Sequence, residues 1–171
     1  MTLNPHTLTG TILQISTSRG GIPRRAIPEA FLTPLGIEGD RHAHPAIHGG
    51  PRQAVLLMTG ETVDELVALG YPVFYGSMGE NLTTRGINRR LLRAGQRYRA
   101  GSAVIELTKI RVPCSAQHVY SPAIRAEVYD PQIKAGDITS PRWAMSGFYA
   151  AVVLPGLIQV GDEIALESEL A

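Results

Sequence analysis

The sequence predicts a mainly β protein, a barrel of short strands with small helices in the connections. Three observations carry this. The 18 glycines and 12 prolines are spread along the whole 171-residue chain, the punctuation of many short strands and tight turns. The apolar runs between them are short. Only one stretch, residues 61–70, shows a clear helical period.

Taken in order, residues 9–17 (TGTILQIST) read as a first strand, broken by Gly20-Gly21-Ile22-Pro23. Residues 24–33 hold another, interrupted at Pro28 and stopped at Pro34. Residues 36–50 (GIEGDRHAHPAIHGG) have almost no apolar periodicity and are rich in Gly, His and charge, so they read as a long loop with something to hold. AVLLM at 54–58 is a short buried strand. In the helix that follows, Val63, Leu66, Val67 and Gly70 recur at helical spacing, Glu61 and Asp64 sit in the first turn, and Gly70-Tyr71-Pro72 ends it. Residues 76–86 form a glycine-rich loop and a short strand at 81–84. Residues 96–100 and 103–112 make a hairpin about Gly101-Ser102. Ser121-Pro122 starts a helix through Val128, with Ser as N-cap and Pro at the first helical position. Residues 130–146 read as loop, and 148–154 and 163–166 as closing strands. The count is seven or eight strands and two or three short helices.

Composition narrows the function. A net charge of +1 argues against bulk electrostatic binding to nucleic acid or acidic membranes. No apolar run approaches the length of a membrane span, and the first residues lack the pattern of a signal peptide. One cysteine cannot form an internal disulfide, so the default compartment is the reducing cytoplasm. Walker A, Rossmann, HExxH and EF-hand signatures are absent.

That cysteine is the centre of the functional reading. The strand from about residue 103 stops at Pro113, which cannot donate to a ladder, and Cys114 follows at the strand end. Ile105, Leu107, Lys109 and Arg111 share one parity, so a face that begins apolar turns cationic toward the sulfur. Cations near a thiol favour the thiolate, the form that attacks substrates and binds metals. The same residues also read as a buried structural cysteine beside two surface cations. His42, His44 and His48 lie near Asp40 in the long loop, at a spacing that matches no standard metal pattern.

GIEGDRHAHPAIHGGP, GENLTTRGI, RYRAGSAVIELTKIRVPC and GFYAAVVLPGLIQVGDEI occur in the order of the motifs of MOSC domains, named for the C-terminal domain of molybdenum cofactor sulfurase. The chain resembles a small stand-alone member of that family, over about residues 10–165, as a single domain spanning 1–171. The resemblance implies a strongly twisted β-barrel like the barrel domain of pyruvate kinase. It implies binding of molybdenum cofactor (molybdopterin), a pterin dithiolene with a phosphate tail. Cys114 matches the motif cysteine, a molybdenum ligand in reductase members and a sulfur handler in others. Asp40, Arg41, His48, Gly79, Glu80, Asn81 and Arg111 match the other motifs. Pyridoxal phosphate binding is a further association of the family. The chain departs from many bacterial relatives in carrying Ser115-Ala116-Gln117 where they have an aromatic residue and a lysine after the cysteine. It also has no spare cysteines for an iron–sulfur cluster, so electrons would come from a separate protein.

Cys114, Arg111, Lys109, His48, Asp40, Arg41, Glu80 and Asn81 are therefore expected to line one cleft. Asp40 and Glu80 read equally well as carboxylates that hold loops. Three functions compete. The first is a cofactor-dependent reductase of N-hydroxylated small molecules, with Cys114 on the molybdenum and the cationic residues holding the cofactor. The second is a carrier holding a persulfide on Cys114 between sulfur donor and acceptor proteins. The third is a non-catalytic module for a pterin or another anion. No nucleic-acid or membrane partner is expected.

Overall fold

A computed structural model describes residues 7–169. Among them are eleven strands: β1 (Thr9–Thr17), β2 (Arg25–Ile27), β3 (Glu29–Thr33), β4 (Gly36–Ile37), β5 (Val55–Thr59), β6 (Leu82–Arg85), β7 (Arg97–Ala100), β8 (Ala103–Ile110), β9 (Phe148–Leu154), β10 (Gly156–Gln159) and β11 (Glu163–Ser168). Three short helices join them: α1 (Gly60–Ala68), α2 (Ile124–Val128) and α3 (Pro131–Lys134). None is long and apolar enough to cross a membrane.

Seven strands close a barrel in the order β11-β7-β8-β9-β5-β6-β1, with β1 pairing back onto β11 and β2 added beside β1. All the barrel pairings are antiparallel except β5–β6, which is parallel. Helix α1 supplies the crossover that a parallel pair needs. A second sheet, β10-β3-β4, packs against the barrel. The expected barrel with few helices is observed. The expected strand count was low because β10, only GLIQ after Pro155, is too short to show a period, and β4 is shorter still.

The barrel interior is filled by Ile12, Ile15, Leu57, Leu82, Ile105, Leu107, Phe148 and Ala150, all essentially without exposure. A second cluster joins Met58, Val63, Leu66, Met78, Ile124, Val128 and Met145. Strand β5 serves both: Val55 and Leu57 point into the barrel, and Met58 points to the second cluster. That two-sided burial explains why AVLLM is a continuous apolar run rather than an alternating one.

Three local details differ from expectation. Helix α1 starts at Gly60, capped by the Thr59 side chain, which accepts from Thr62 N–H. Helix α2 starts at Ile124, later than Ser121-Pro122 suggests; the Ser121 hydroxyl accepts from Ala123 N–H and closes a turn instead. In β8 the register against β9 slips between Leu107 and Lys109. Thr108 is the extra residue, and its hydroxyl donates to the carbonyls of Arg52 and Tyr149. The bulge ends the strict alternation that put Lys109 on the face of Leu107: Leu107 is buried and Lys109 exposed.

Candidate active-site cleft

The strand-end proline leaves Arg111 and Cys114 at the edge of a cavity of about 580 Å³. Three remote stretches wall it: residues 21–24, residues 42–48, and the turn containing Met78 and Gly79. Leu56, Asn81 and Tyr149 contribute from the barrel. Cys114 is half-buried and caps the short 3-10 turn Ser115–Val119.

Arg111 is the most deeply set cation of the cleft, 5% exposed. Its Nε donates to the Ser146 carbonyl at 2.7 Å and its Nη1 to the Met78 carbonyl. Nη2 lies 3.7 Å from the Met58 sulfur. Among the described residues no carboxylate forms an ion pair with it. Burial lowers its pKa, opposed by electrostatic interaction with the neighbouring Tyr149 and Glu80. Arg24, by contrast, is neutralised: it forms a buried ion pair with Asp40 and its Nε donates to the Gly79 carbonyl at 2.8 Å.

Two histidines face these arginines. His42 Nδ1 lies 3.2 Å from an Arg24 amino group, which can only donate, so that nitrogen accepts. Burial, then the Arg24 charge, lowers the His42 pKa. His48 is lowered by burial and next by Arg111. Its Nδ1 is 3.5 Å from the Tyr149 hydroxyl, whose pKa burial pushes up. Both imidazoles are therefore neutral at pH 7 and Tyr149 keeps its proton.

The residues expected from the sequence separate into two groups. Cys114, Arg111, His48, Gly79 and Asn81 line the cleft. At Gly79 a positive φ of 93° and the Ile22 side chain leave no easy room for a Cβ. Lys109, Asp40, Arg41 and Glu80 do not line it. Lys109 is turned out by the Thr108 bulge and lies over the outer face of the Tyr149 ring, 5.9 Å from its centroid. Arg41 is exposed beside the Asp40 loop. Asp40 accepts from Ser18 N–H and Asn81 Nδ2, both at 2.9 Å, besides pairing with Arg24. Glu80 is fully buried beneath the Met78 turn, and its Oε1 accepts from Gly76 N–H at 2.7 Å. Burial raises its pKa. Both carboxylates thus hold loops. Asn81 does so as well, bridging Leu56 N–H and the Ser16 carbonyl while lining the cleft.

Arg24, Tyr149, Met78 and Gln117 belong to the cleft and were not legible as site residues. Gln117 alone had a local signal, its place three residues after the cysteine. His42, His44 and His48 all reach the cleft, but among the described residues no three His, Cys, Asp or Glu side chains converge as metal ligands.

Comparison with known proteins agrees with the barrel and the motifs. The family model described as MOSC domain matches residues 44–165. Protein YiiM of Escherichia coli is 34% identical over 94 residues, covering 50% of this chain and 40% of that protein. YflK of Bacillus subtilis is 33% identical over 98 residues, 55% of this chain and 43% of that protein. The aligned stretches thus span less than half the length of these relatives. The crystal structure of YiiM from Geobacillus stearothermophilus superposes with a TM-score of 0.70 over 93% of this chain and 75% of that one, at 21% identity.

Proposed function

Since the chain belongs to the MOSC domain family, we propose that its cleft binds molybdenum cofactor and reduces N-hydroxylated small molecules with electrons from a partner protein. The observation that carries this reading is Arg111. It is a buried cation with no carboxylate partner among the described residues, on the wall that holds the chain's only thiol. A charge buried without a counter-ion is costly, so such a site suits an anion. An anionic ligand held at Cys114 meets that need. Arg24 does not offer the same, because Asp40 already balances it.

The residues present fit the cofactor. Cys114 offers one soft sulfur ligand to a metal. The cavity of about 580 Å³ lies within the range of small-molecule and cofactor sites, roughly 300–1,000 Å³. Bound there, the cofactor would supply two-electron redox chemistry. The chain's own residues bind and move protons. Arg111 balances negative charge beside Cys114. Tyr149 holds a proton to donate, and neutral His48, 3.5 Å away and half-buried, can relay its replacement. The substrate R–NH–OH takes up two electrons from the donor protein and two protons; the N–O bond breaks, and R–NH2 and water leave. Pyridoxal phosphate is not proposed, because both lysines, Lys109 and Lys134, are exposed and neither lines the cleft, so no amine stands there for a Schiff base.

Metal analysis of protein purified from a host that makes the cofactor tests the reading. Stoichiometric molybdenum, lost in Cys114→Ala, is expected. Absence of molybdenum together with a cyanide-labile sulfur on Cys114 would replace the reductase by a persulfide carrier. Absence of both would leave a non-catalytic module.

A further inference from the structure

A second cavity, of about 290 Å³, shares no lining residue with the cleft. Its floor is apolar, built from the buried side chains of Ile133, Trp143 and Phe148. Trp143 and Phe148 meet edge to face, with ring centroids 6.2 Å apart. Ile110 and Tyr129 form half-buried walls, and the exposed Lys109 forms the rim. The Thr108 bulge that turned Lys109 away from the cleft is therefore also what gives this cavity a cation. Bulges commonly re-aim a side chain in this way. Among the described residues no carboxylate forms an ion pair with Lys109. A second cation, the Arg93 guanidinium, lies 5.6 Å from the Trp143 ring centroid, and its Nη1 donates to the carbonyls of Arg90 and Leu92. The carboxylate next to Tyr129 in sequence, Asp130, is occupied, accepting from Ile133 N–H and the Ser140 hydroxyl, both at 2.8 Å. The cavity thus combines an aromatic floor with a positive rim.

We propose that this cavity binds a small aromatic monocarboxylate, its ring against Trp143 and Phe148 and its carboxylate at the Lys109 ammonium. Volume sets the size: about 290 Å³ is at the lower edge of the range for small-molecule sites, roughly 300–1,000 Å³, which suits a single ring. The aromatic floor favours a flat partner. Charge sets the sign: a cation would meet Lys109 and Arg93, and a neutral ring would leave the ammonium without a partner. Lys109 is exposed, so water screens the ion pair, and ring and charge must act together to hold the ligand. The site does not depend on what fills the cleft.

Trp143 is the only tryptophan of the chain, so its emission reports occupancy of the cavity. The probes are benzoate and benzamide, an uncharged compound of the same shape. Each is titrated into the purified full chain at neutral pH and low salt. Benzoate is expected to change Trp143 emission saturably and to bind about tenfold more tightly than benzamide. In Lys109→Met, benzoate should fall to the affinity of benzamide, with benzamide binding as in wild type. No saturable change with benzoate, or equal affinities for the two compounds in wild type, overturns the proposal without any variant. A preference for benzoate that survives in Lys109→Met overturns it as well. Alkylation of Cys114 by iodoacetamide is followed over the same titration and should not change. Protection of the sulfur over the benzoate range that alters Trp143 emission would put the anion in the cleft instead, and would also overturn the proposal.

Discussion

The Arg111 guanidinium and the Gln117 amide converge on one acceptor, the carbonyl oxygen of Met78. Arg111 stands three residues before Cys114 and Gln117 three residues after it. The turn before Gly79 therefore holds the sulfur-bearing segment from both sides. A change at either residue is felt at the cysteine without touching it.

Arg111→Lys keeps the charge and removes the fork. One ammonium cannot reproduce the directed bonds to both the Ser146 and Met78 carbonyls. The variant is expected to lose about 1–3 kcal/mol of stability, the cost of orphaning a buried acceptor. Denaturant unfolding measures this, and a midpoint equal to wild type would refute it.

Asp40→Ala should be more damaging. The Arg24 and Asp40 side chains are 7% and 4% exposed, and Asp40 also binds Ser18 and Asn81. Removing the carboxylate strands a buried cation and frees two loops, at roughly 3–5 kcal/mol. Asp40→Ala and Arg24→Met together should recover part of that loss, because the unpaired charge goes too. No recovery in the double variant would show that the ion pair is not the main term.

Cys114 should be alkylated in the native protein, since it is half-buried at a cleft wall. The unpaired Arg111 charge should draw an anionic reagent. The ratio of iodoacetate to iodoacetamide rates is expected to exceed that of free cysteine and to fall in Arg111→Met. Labelling only after unfolding would make Cys114 a structural residue.

His42 and His48 carry pKa values below the ordinary 6.5, chiefly through burial, with Arg24 and Arg111 respectively as the next cause. As pH falls, the unfolded chain binds protons at these positions before the folded chain does. Their contribution to stability is full above about pH 6.5 and is lost as pH falls toward the folded values. Asp40 beside His42 opposes the shift, while His44 beside His48 reinforces it. The Tm of wild type should therefore drop below that of His42→Gln, relative to their difference at pH 8, as pH is lowered through 6. Parallel Tm curves would contradict this.

Glu80 acts in the opposite sense. Its pKa is raised above 4.5 by burial, so its contribution is full below that pH and is lost as pH rises through the folded value. Glu80→Gln keeps an oxygen for Gly76 N–H and carries no such loss. Its stability relative to wild type should grow as pH rises, read from unfolding curves across that range. A constant difference would show that the carboxyl titrates alike in both states.

The sequence by itself determined the barrel. Breaks at Gly20-Gly21, Pro34, Gly70-Tyr71-Pro72 and Gly101-Ser102 lie where strands or the long helix end, because backbone conformation and missing donors act over neighbouring residues. Strand β8 ends at Ile110, two residues short of the expected end at Val112, and the place of Cys114 beyond it was legible for the same reason. The continuous burial of β5 was visible too, as an unbroken apolar run. Only the tertiary structure decided which charges remained free. Arg24 and Arg111 look alike in sequence, yet Asp40 reaches Arg24 across sixteen positions and nothing acidic among the described residues pairs with Arg111. The Thr108 bulge turned Lys109 outward, which period-2 reasoning over LTKIR cannot anticipate. Tyr149 and Gln117 joined the cleft through strand pairing and a shared carbonyl far along the chain. Turn chemistry is local and can be read residue by residue, whereas the balance of buried charge depends on strand order and register, which bring distant segments together.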